Sequence, residues 1–245
     1  MGKQSVGATY QAHARVQRLT FELLLAQLEG VSPHYIGDIG CGNGYHTHQL
    51  ATHFPQAHID AWDASPDLIM TACTQFAHPR IHYRLANADT DPPHPADLLV
   101  ANASLHWVQD FNGACRRFRQ QLHPGGLMVA SIFGPDTYWE LADSLTRVMG
   151  YPALLPASRF MALGTVYEGL ALLFDQVEMT QHRIQHHFPS IRALLDHIQK
   201  TGTRGSGLPG TLWTPGFIRE LEQAYRSRFA TTVATYQVGI VRCQS

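Results

Sequence analysis

An acidic residue followed by three alternating glycines is the most informative pattern in this chain of 245 residues. Asp38 ends a short apolar run, and Gly40, Gly42 and Gly44 follow at every second position. Glycines allow positive φ angles and a close approach of the backbone to a ligand, because they carry no Cβ atom. Residues 45–54 can form a helix, and the N–H groups at a helix start hydrogen-bond polar groups such as carboxylates. A strand, a glycine turn and a helix start therefore predict a cradle for a small molecule.

The glycine spacing separates this motif from two families of phosphate sites. Dinucleotide-binding turns follow G-x-G-x-x-G, and phosphate loops end in Gly-Lys-Ser/Thr. The motif resembles instead the D-x-G-x-G-x-G motif of class I S-adenosylmethionine (SAM) methyltransferases, which implies SAM as the cofactor. The contacts implied by this resemblance are Asp38, Gly40, Cys41, Gly42 and Gly44. The alternative is a tight turn without a ligand, which three alternating glycines behind an aspartate rarely form.

Polar residues also follow the next predicted strands, and open parallel sheets bind ligands beyond those strand ends. Asp63, with Ala64 beside it, is placed to accept both ribose hydroxyls. Asp89, preceded by Ala88, is placed to accept the adenine amino group. Asn102 is expected beside the methyl donor and the acceptor. Each residue has an alternative role as a strand terminator or helix cap, and Asp63 precedes a Ser-Pro helix opening.

Alternating strand and helix patterns predict an α/β fold with right-handed crossovers. The first five strands, which form a parallel core, are predicted at 34–39, 58–62, 81–85, 97–101 and 127–133. The sequence H-P-G-G at 123–126 should end a helix before the fifth strand, and later strands at 177–188 and 231–242 should add an antiparallel pair. We expect a Rossmann-like class I methyltransferase fold with a seven-stranded, mostly parallel sheet and helices on both faces. One domain, 1–245, should carry inserted helical cap segments at 150–174 and 189–229.

Composition excludes several classes of protein. A formal net charge of −1 argues against a general nucleic-acid binder. The four cysteines form no C-x-x-C, so neither a disulfide framework nor a zinc site is expected, and a cytoplasmic location fits. No secretory signal or membrane-spanning apolar run is seen. We expect no metal, because no acid or cysteine accompanies the histidines at a ligand spacing, and we expect these histidines at the surface: His46, His48, His182, His186 and His187.

Further stretches resemble one branch, the malonyl-acyl-carrier-protein O-methyltransferases of biotin synthesis. They are Y-Q-A-H-A-R-V-Q at 10–17, D-A-S-P at 63–66, N-A-S-L-H-W at 102–107, L-H-P-G-G at 122–126, F-G-P-D-T-Y-W-E-L at 133–141 and T-Y-Q-V-G-I-V-R-C at 235–243. The resemblance covers nearly the whole chain, and the last two stretches are the most specific. The chain departs from the family at His106, where Gln is frequent, and in a shorter loop at 89–97.

This resemblance implies methyl transfer from SAM to the free carboxylate of a malonyl thioester. A carboxylate is already ionised at neutral pH, so we expect no catalytic acid or base. Arginine can anchor the malonyl carboxylate with two parallel N–H bonds, and the candidates are Arg159 and Arg204. Arg159 is preferred because family members also carry Arg-Phe there; its alternative role is a surface ion pair. Tyr10 should close over the methionine tail or the acceptor unless it only packs in a helix. Trp107 should pack in the core at the start of a helix, with contact to the substrate as the alternative.

The implied partner is an acidic acyl carrier protein bearing malonyl-phosphopantetheine. Two basic clusters could steer it, although such clusters are often only solvated faces. They are Arg116, Arg117 and Arg119, and Lys200, Arg204, Arg226 and Arg228. Two other functions stay open. A small-molecule carboxyl methyltransferase is one, because 102–107 also resembles the trans-aconitate enzymes. A methyltransferase-like assembly factor without methyl transfer is the other, since fold alone does not settle function.

Overall fold

The computed structural model describes residues 15–200 and 213–245, except the side chains of residues 199 and 200. Within these ranges we number eight α-helices and seven strands in chain order. The helices are α1 Arg15–Ala26, α2 Tyr45–His53, α3 Pro66–Gln75, α4 Phe111–Gln121, α5 Trp139–Met149, α6 Leu163–Ala171, α7 Ile191–Lys200 and α8 Pro215–Phe229. The strands are β1 Tyr35–Ile39, β2 His58–Asp63, β3 Ile81–Leu85, β4 Ala96–Asn102, β5 Leu122–Phe133, β6 Gln176–Phe188 and β7 Thr232–Gln244. Short 3-10 helices cover Leu105–Trp107 and Pro156–Arg159.

All seven strands form one sheet in the order β3-β2-β1-β4-β5-β7-β6. The pairs β2–β3, β1–β2, β1–β4 and β4–β5 are parallel. β7 runs antiparallel to β5, because backbone bonds join Gly134 to Gln237 near one end and Ser245 to Gly126 near the other. The sheet is therefore mixed, and the predicted class I fold is confirmed. The strand order reverses between β1 and β4, which opens a crevice beyond their carboxyl ends.

The two central strands pack so closely that one of them needs a glycine inside it. A Cβ atom on Gly37 of β1 would lie 2.5 Å from Cδ2 of Leu99 and 3.3 Å from the ring of Trp62. Both of those side chains are completely or almost completely buried. Glycine in a strand interior often marks such a close approach. This close packing fixes the position of β1 relative to its neighbours, and so the position of Asp38 and the glycine motif at the crevice.

The fifth strand begins earlier than the sequence predicts. The H-P-G-G turn signal at 123–126 lies inside β5 and not before it. The register with β4 shifts at this point, since Ala96 pairs with Leu122 and Leu98 pairs with Leu127. Gly125 has a φ of 75°, as expected for residues that loop out of a strand pair. The preceding helix does end just before this segment, at Gln121, but the expected strand start at 127 is wrong, because the glycines form an irregularity within a continuous strand.

The chain divides into two compact units. The first consists of residues 17–132, 161–181 and 239–245. The second consists of the described residues within 1–16, 133–160 and 182–238. The expected cap segment 150–174 is shared between the units, and the described residues of segment 189–229 belong to the second. Tyr10 and Arg204 lie outside the described residues, as does the glycine-rich loop at 201–210.

The second unit holds a buried chain of polar side chains. The Tyr138 hydroxyl donates to the Tyr236 hydroxyl over 2.9 Å, and that oxygen lies 2.8 Å from Nε2 of His197. The side chain of Glu140 accepts the backbone N–H of Thr235 over 3.0 Å. Burial is tolerated because each group has a partner. These bonds join the stretches 133–141 and 235–243, the two that carry the most specific resemblance.

A membrane-spanning helix needs about 20 predominantly apolar residues. The longest helix in the described ranges is α8, with 15 residues. No helix in these ranges is long and apolar enough to cross a membrane.

Candidate functional site

The glycine motif forms a turn whose three glycines all have positive φ angles. These angles are 71° at Gly40, 58° at Gly42 and 84° at Gly44. The N–H groups of Gly40 and Cys41 both donate to the carbonyl of Trp62, over 2.8 and 2.9 Å. Two backbone hydrogen bonds therefore hold the turn against the end of β2, and the turn leads directly into α2. Positive φ at consecutive alternate positions explains why glycine stands at each of them.

Two of these glycines are also required by the packing of the protein itself. A Cβ on Gly40 would lie 2.4 Å from the Cβ of Ser104, whose hydroxyl donates to the carbonyl of Ile39 over 2.7 Å. A Cβ on Gly44 would lie 2.7 Å from Oη of Tyr83. From the sequence, we expected the missing Cβ atoms to leave space for a ligand. The structure adds that neighbouring side chains already occupy that space at both positions.

Asp63 stands at the end of β2 and holds the turn with both carboxylate oxygens. Oδ2 accepts the N–H of Gly42 over 3.1 Å, and Oδ1 accepts the N–H of Ser65 over 2.9 Å. A carboxylate offers about four acceptor positions, so two remain for a ligand. Ser65 occupies the N-cap position of α3 but makes no side-chain cap bond. Asp63 therefore terminates β2 and holds the start of α3, which is the alternative role considered for it, and this role is compatible with the predicted one as a ligand acceptor.

A cavity of about 220 Å³ opens beside this turn. Its lining includes five of the residues named as cofactor contacts: Gly40, Asp63, Ala64, Ala88 and Asp89. Apolar and aromatic walls come from Ile39, Trp62, Ala86, Leu105, Trp107 and Val108, and polar ones from Asn87 and Ser104. Two carboxylates and no basic side chain suit a cationic sulfonium nucleoside, whereas a pyrophosphate needs basic groups. The expectation that Trp107 packs in the core is wrong, because Trp107 is 44% exposed and lines this cavity.

Asp38 lies beneath the turn, almost fully buried. Its Oδ2 accepts the hydroxyl of Thr47 over 2.6 Å, which joins β1 to α2. Burial raises the pKa of Asp38 to about 7; the Thr47 bond opposes this rise, and the charge of Asp63 adds to it. Cys41 is also buried, and burial raises the pKa of its thiol far above the usual value. Neither residue is part of the cavity lining, so as cofactor contacts both stay predictions.

Asp89 connects the adenine-side loop to the start of α4. Its Oδ1 accepts the N–H groups of Gln109 and Asp110, over 2.9 and 3.1 Å. Arg117 fixes the same loop from below, since its Nη2 donates to the carbonyls of Ala88 and Asp89. The second oxygen of Asp89 keeps its acceptor capacity. The predicted contact to an adenine amino group stays compatible with this geometry.

Asn102 ends β4 with its amide turned toward α1. Oδ1 accepts the hydroxyls of Thr20 and Ser131, over 2.9 and 2.8 Å. Nδ2 donates to the carbonyl of Gln17 over 3.0 Å and lies 3.4 Å from Nδ1 of His46. Protein groups therefore use both acceptor and both donor positions of this amide. Asn102 positions α1 against the sheet, and its direct contact with the cofactor stays a prediction.

The histidines and the acceptor-side candidate Arg159 differ in how far they are buried. His48 and His187 are exposed as expected, but His46, His182 and His186 are half-buried, so the surface prediction is wrong for those three. The described residues contain no group of three or more His, Cys, Asp or Glu that could hold a metal ion. Arg159 ends its 3-10 helix exposed, and no described carboxylate pairs with it. As an anchor for a substrate carboxylate, Arg159 stays a prediction.

Comparison with known proteins identifies the chemistry that this arrangement serves. A family model described as a methyltransferase domain matches residues 38–128. The chain is 28% identical to the malonyl-[acyl-carrier protein] O-methyltransferase of Halalkalibacterium halodurans, over 96% of this chain and 89% of that one. It is 27% identical to the trans-aconitate 2-methyltransferase of Acidovorax sp., over 84% of each. The crystal structure of the YcgJ protein from Bacillus subtilis shares the fold, with a TM-score of 0.64, 12% identity and coverage of 93% and 98%.

The fold, the glycine turn and these relatives define the class: the chain is a class I SAM-dependent methyltransferase. Within that class the resemblance to the malonyl-acyl-carrier-protein O-methyltransferases is confirmed over most of the chain. The predicted SAM cofactor is confirmed with it, and the cavity beside Asp63 fits its nucleoside. A methyltransferase-like assembly factor without methyl transfer is not what these relatives indicate.

Proposed function

We propose that the protein methylates the free carboxylate of a malonyl group carried by acyl carrier protein. One observation carries the proposal: similarity to malonyl-acyl-carrier-protein O-methyltransferases extends over 96% of this chain and 89% of the relative. An extent of this kind includes the segments after β5, which lie outside the shared methyltransferase domain at 38–128.

The reaction requires the protein chiefly to position the methyl donor and the acceptor carboxylate. SAM supplies an electrophilic methyl group on a sulfonium, and a malonyl carboxylate is an anion at neutral pH. Asp63 and Asp89 hold the nucleoside end, while Trp107 and Leu105 supply apolar walls that exclude water. Fixing two reactants in line and removing water accounts for large accelerations without proton transfer. No acid or base is therefore required of the residues in this cavity.

An anchor for the acceptor carboxylate is the second requirement, and Arg159 is our candidate. Its exposed guanidinium has no described carboxylate partner, so its donors are available for a bidentate bond. A surface ion pair, the other role considered for it, has no support among the described residues. Arg204, the other candidate, lies outside those residues.

The basic clusters considered for docking the carrier protein are mostly engaged within the chain. Arg117 donates to loop carbonyls, and Arg119 lies 3.4 Å from Asp175. Arg226 and Arg228 pair with Glu222 and Asp143, over 2.9 and 3.0 Å. Arg116 is exposed, and it is the member of these clusters that we propose for steering an acidic partner.

Transfer of labelled methyl tests the proposal directly. Incubation with [methyl-³H]SAM and malonyl-acyl carrier protein should yield counts on the carrier that base releases, because methyl esters hydrolyse in base. Acetyl-acyl carrier protein, which lacks the free carboxylate, is the matched control and should remain unlabelled. Equal labelling of both carriers, or none of either, contradicts the proposal.

A second acceptor class has specific support. The Acidovorax relative named trans-aconitate 2-methyltransferase is nearly as similar, at 27% identity over 84% of this chain. The same assay applies to free trans-aconitate, because both acceptors would give base-labile methyl esters, and the comparison of the two rates separates the functions. A kcat/KM for trans-aconitate above that for malonyl-acyl carrier protein would replace our proposal with this one.

A further inference from the structure

A buried hydrogen-bond donor on His46 lacks a partner at the edge of the cofactor turn. His46 is the second residue of α2, two positions after Gly44. Its ring stacks on Phe21, with centroids 4.6 Å apart. Its Nε2 atom is buried and has no hydrogen-bond partner among the described residues. Buried polar atoms without partners are rare in native proteins, and each one calls for an explanation.

The hydrogen bonds around Asn102 decide where the His46 proton sits. Nδ2 of Asn102 must face the carbonyl of Gln17, since that oxygen only accepts. Its remaining N–H then points to Nδ1 of His46, 3.4 Å away, which must accept. Burial lowers the pKa of His46 to about 4, and the charge of Arg18 contributes. At neutral pH the ring is therefore uncharged, and its proton is on Nε2.

A positive charge acts on this ring. Arg18 stands three residues before Phe21 on α1, about one helical turn from the residue on which His46 stacks, and its exposed guanidinium acts electrostatically on His46. No described carboxylate lies within ion-pair distance of Arg18, so its charge is not compensated within residues 15–200 and 213–245. A neutral N–H donor next to an uncompensated guanidinium fits an anionic oxygen, because both interactions favour the same ligand.

We propose that Nε2–H of His46, together with Arg18, binds a carboxylate of the reactants. The carboxylate has two possible sources, the methionine tail of the donor and the free carboxylate of the acceptor. Only the acceptor source rests on the proposed function. A hydrogen bond to a charged group strengthens binding by roughly tenfold or more, and this is the size of effect to expect.

Substitution by phenylalanine separates the donor from the ring. His46→Phe keeps the stacking on Phe21 and removes Nε2–H, together with the Nδ1 acceptor of Asn102. His48→Phe on the exposed side of the same helix is the matched control. Calorimetry should compare S-adenosylhomocysteine, which carries the tail carboxylate, with 5′-methylthioadenosine, which lacks it. Steady-state kinetics should give KM for malonyl-acyl carrier protein.

Two results support the proposal and name the source. Weaker binding of S-adenosylhomocysteine by about tenfold, with unchanged 5′-methylthioadenosine binding, assigns the donor tail. Unchanged binding of both nucleosides with a KM for the acceptor raised about tenfold assigns the acceptor. Equal loss for both nucleosides, or no change in any of the three quantities, overturns it.

A second pair of variants avoids dependence on the phenylalanine ring. His46→Gln keeps an N–H donor, and the nearly isosteric His46→Glu replaces it with an anion. The glutamine variant should keep most of the affinity for the assigned ligand, and the glutamate variant should lose it. Equal affinities of these two variants contradict the proposal. A wild-type protein that binds S-adenosylhomocysteine but methylates no malonyl carrier would overturn the proposed function while leaving the nucleoside comparison valid.

Discussion

Replacing Asp63 with asparagine should damage the donor site more than its similar shape suggests. Each oxygen of Asp63 accepts one backbone N–H, from Gly42 over 3.1 Å and from Ser65 over 2.9 Å. An asparagine amide has one oxygen, so its NH₂ group must face one of these N–H groups. Two donors then oppose each other about 3 Å apart. Neither orientation of the amide avoids the conflict.

The structure sets the expected size of two effects. An N–H left without an acceptor costs about 1–3 kcal/mol, which should appear as a lower free energy of unfolding without ligand. Loss of the charge-assisted bonds to ribose hydroxyls should cost at least ~1.5 kcal/mol more, so the dissociation constant for S-adenosylhomocysteine should rise roughly tenfold or more. Asp63→Ala removes the acceptors without adding a donor, and we expect a similar loss of affinity with it.

Calorimetric titration and urea unfolding measure the two effects separately. Asp67→Asn is the matched control, because Asp67 is exposed in the first turn of α3 and makes the same change in net charge. Its affinity should stay within about twofold of the wild type, as for most surface substitutions. Wild-type affinity in Asp63→Asn would remove Asp63 from the ligand site and refute this reasoning.

Three further substitutions test the site and its support. Gly40→Ala should lower the free energy of unfolding by more than the ~1–2 kcal/mol that positive φ costs, because the added Cβ would meet Ser104. Gly125→Ala is the control, since Gly125 has a similar φ and no neighbour within 4 Å of an added Cβ. Equal losses of stability in the two variants would contradict the clash. Asp38 has a pKa raised to about 7 when folded, so its contribution to stability is complete below pH ~4 and is lost as pH rises toward 7. Between pH 5 and 8 the wild type should lose about 3 kcal/mol relative to Asp38→Asn in urea unfolding, and parallel pH profiles would argue against this. Arg159→Ala should raise KM for malonyl-acyl carrier protein about tenfold with unchanged SAM affinity; weaker SAM binding instead would place Arg159 elsewhere.

Local sequence signals predicted the donor half of the fold well. The strand ends at Asp38 and Asp63 and the helix start at Tyr45 follow from apolar runs, glycines and a Ser-Pro pair, all of which act within a few residues. The parallel core follows because a helix separates most successive strands between residues 35 and 133, the exception being β3 and β4, which a loop connects. These features needed no knowledge of long-range packing.

Side-chain direction could not be predicted in the same way. Asn102 is correctly placed at a strand end, but its amide turns to Gln17 and Thr20 because α1 packs across it. His46 looked like a surface residue, since the pattern of α2 does not reveal that Phe21 covers its ring. Both outcomes depend on where a helix some 80 or 25 positions earlier lies, which periodicity does not encode.

The H-P-G-G segment shows a different limit. It was expected to separate a helix from the fifth strand, and the helix does end just before it, at Gln121; Gly125 also has a positive φ. Whether the segment precedes the strand or lies within it is decided by pairing of Leu122 with Ala96 on β4, a contact between residues far apart in sequence. The type of local feature was predictable, and its place in the sheet was not.

The position of β7 has a consequence for how the protein is made. β7 lies between β5 and β6, yet the ribosome produces it after both. Until β7 emerges, each of its neighbours presents an unpaired edge that could join a strand of another nascent chain. Folding should therefore depend on chaperones that cover these edges. Slowing translation ahead of residue 232 prolongs the exposure of the edges and should lower the soluble yield.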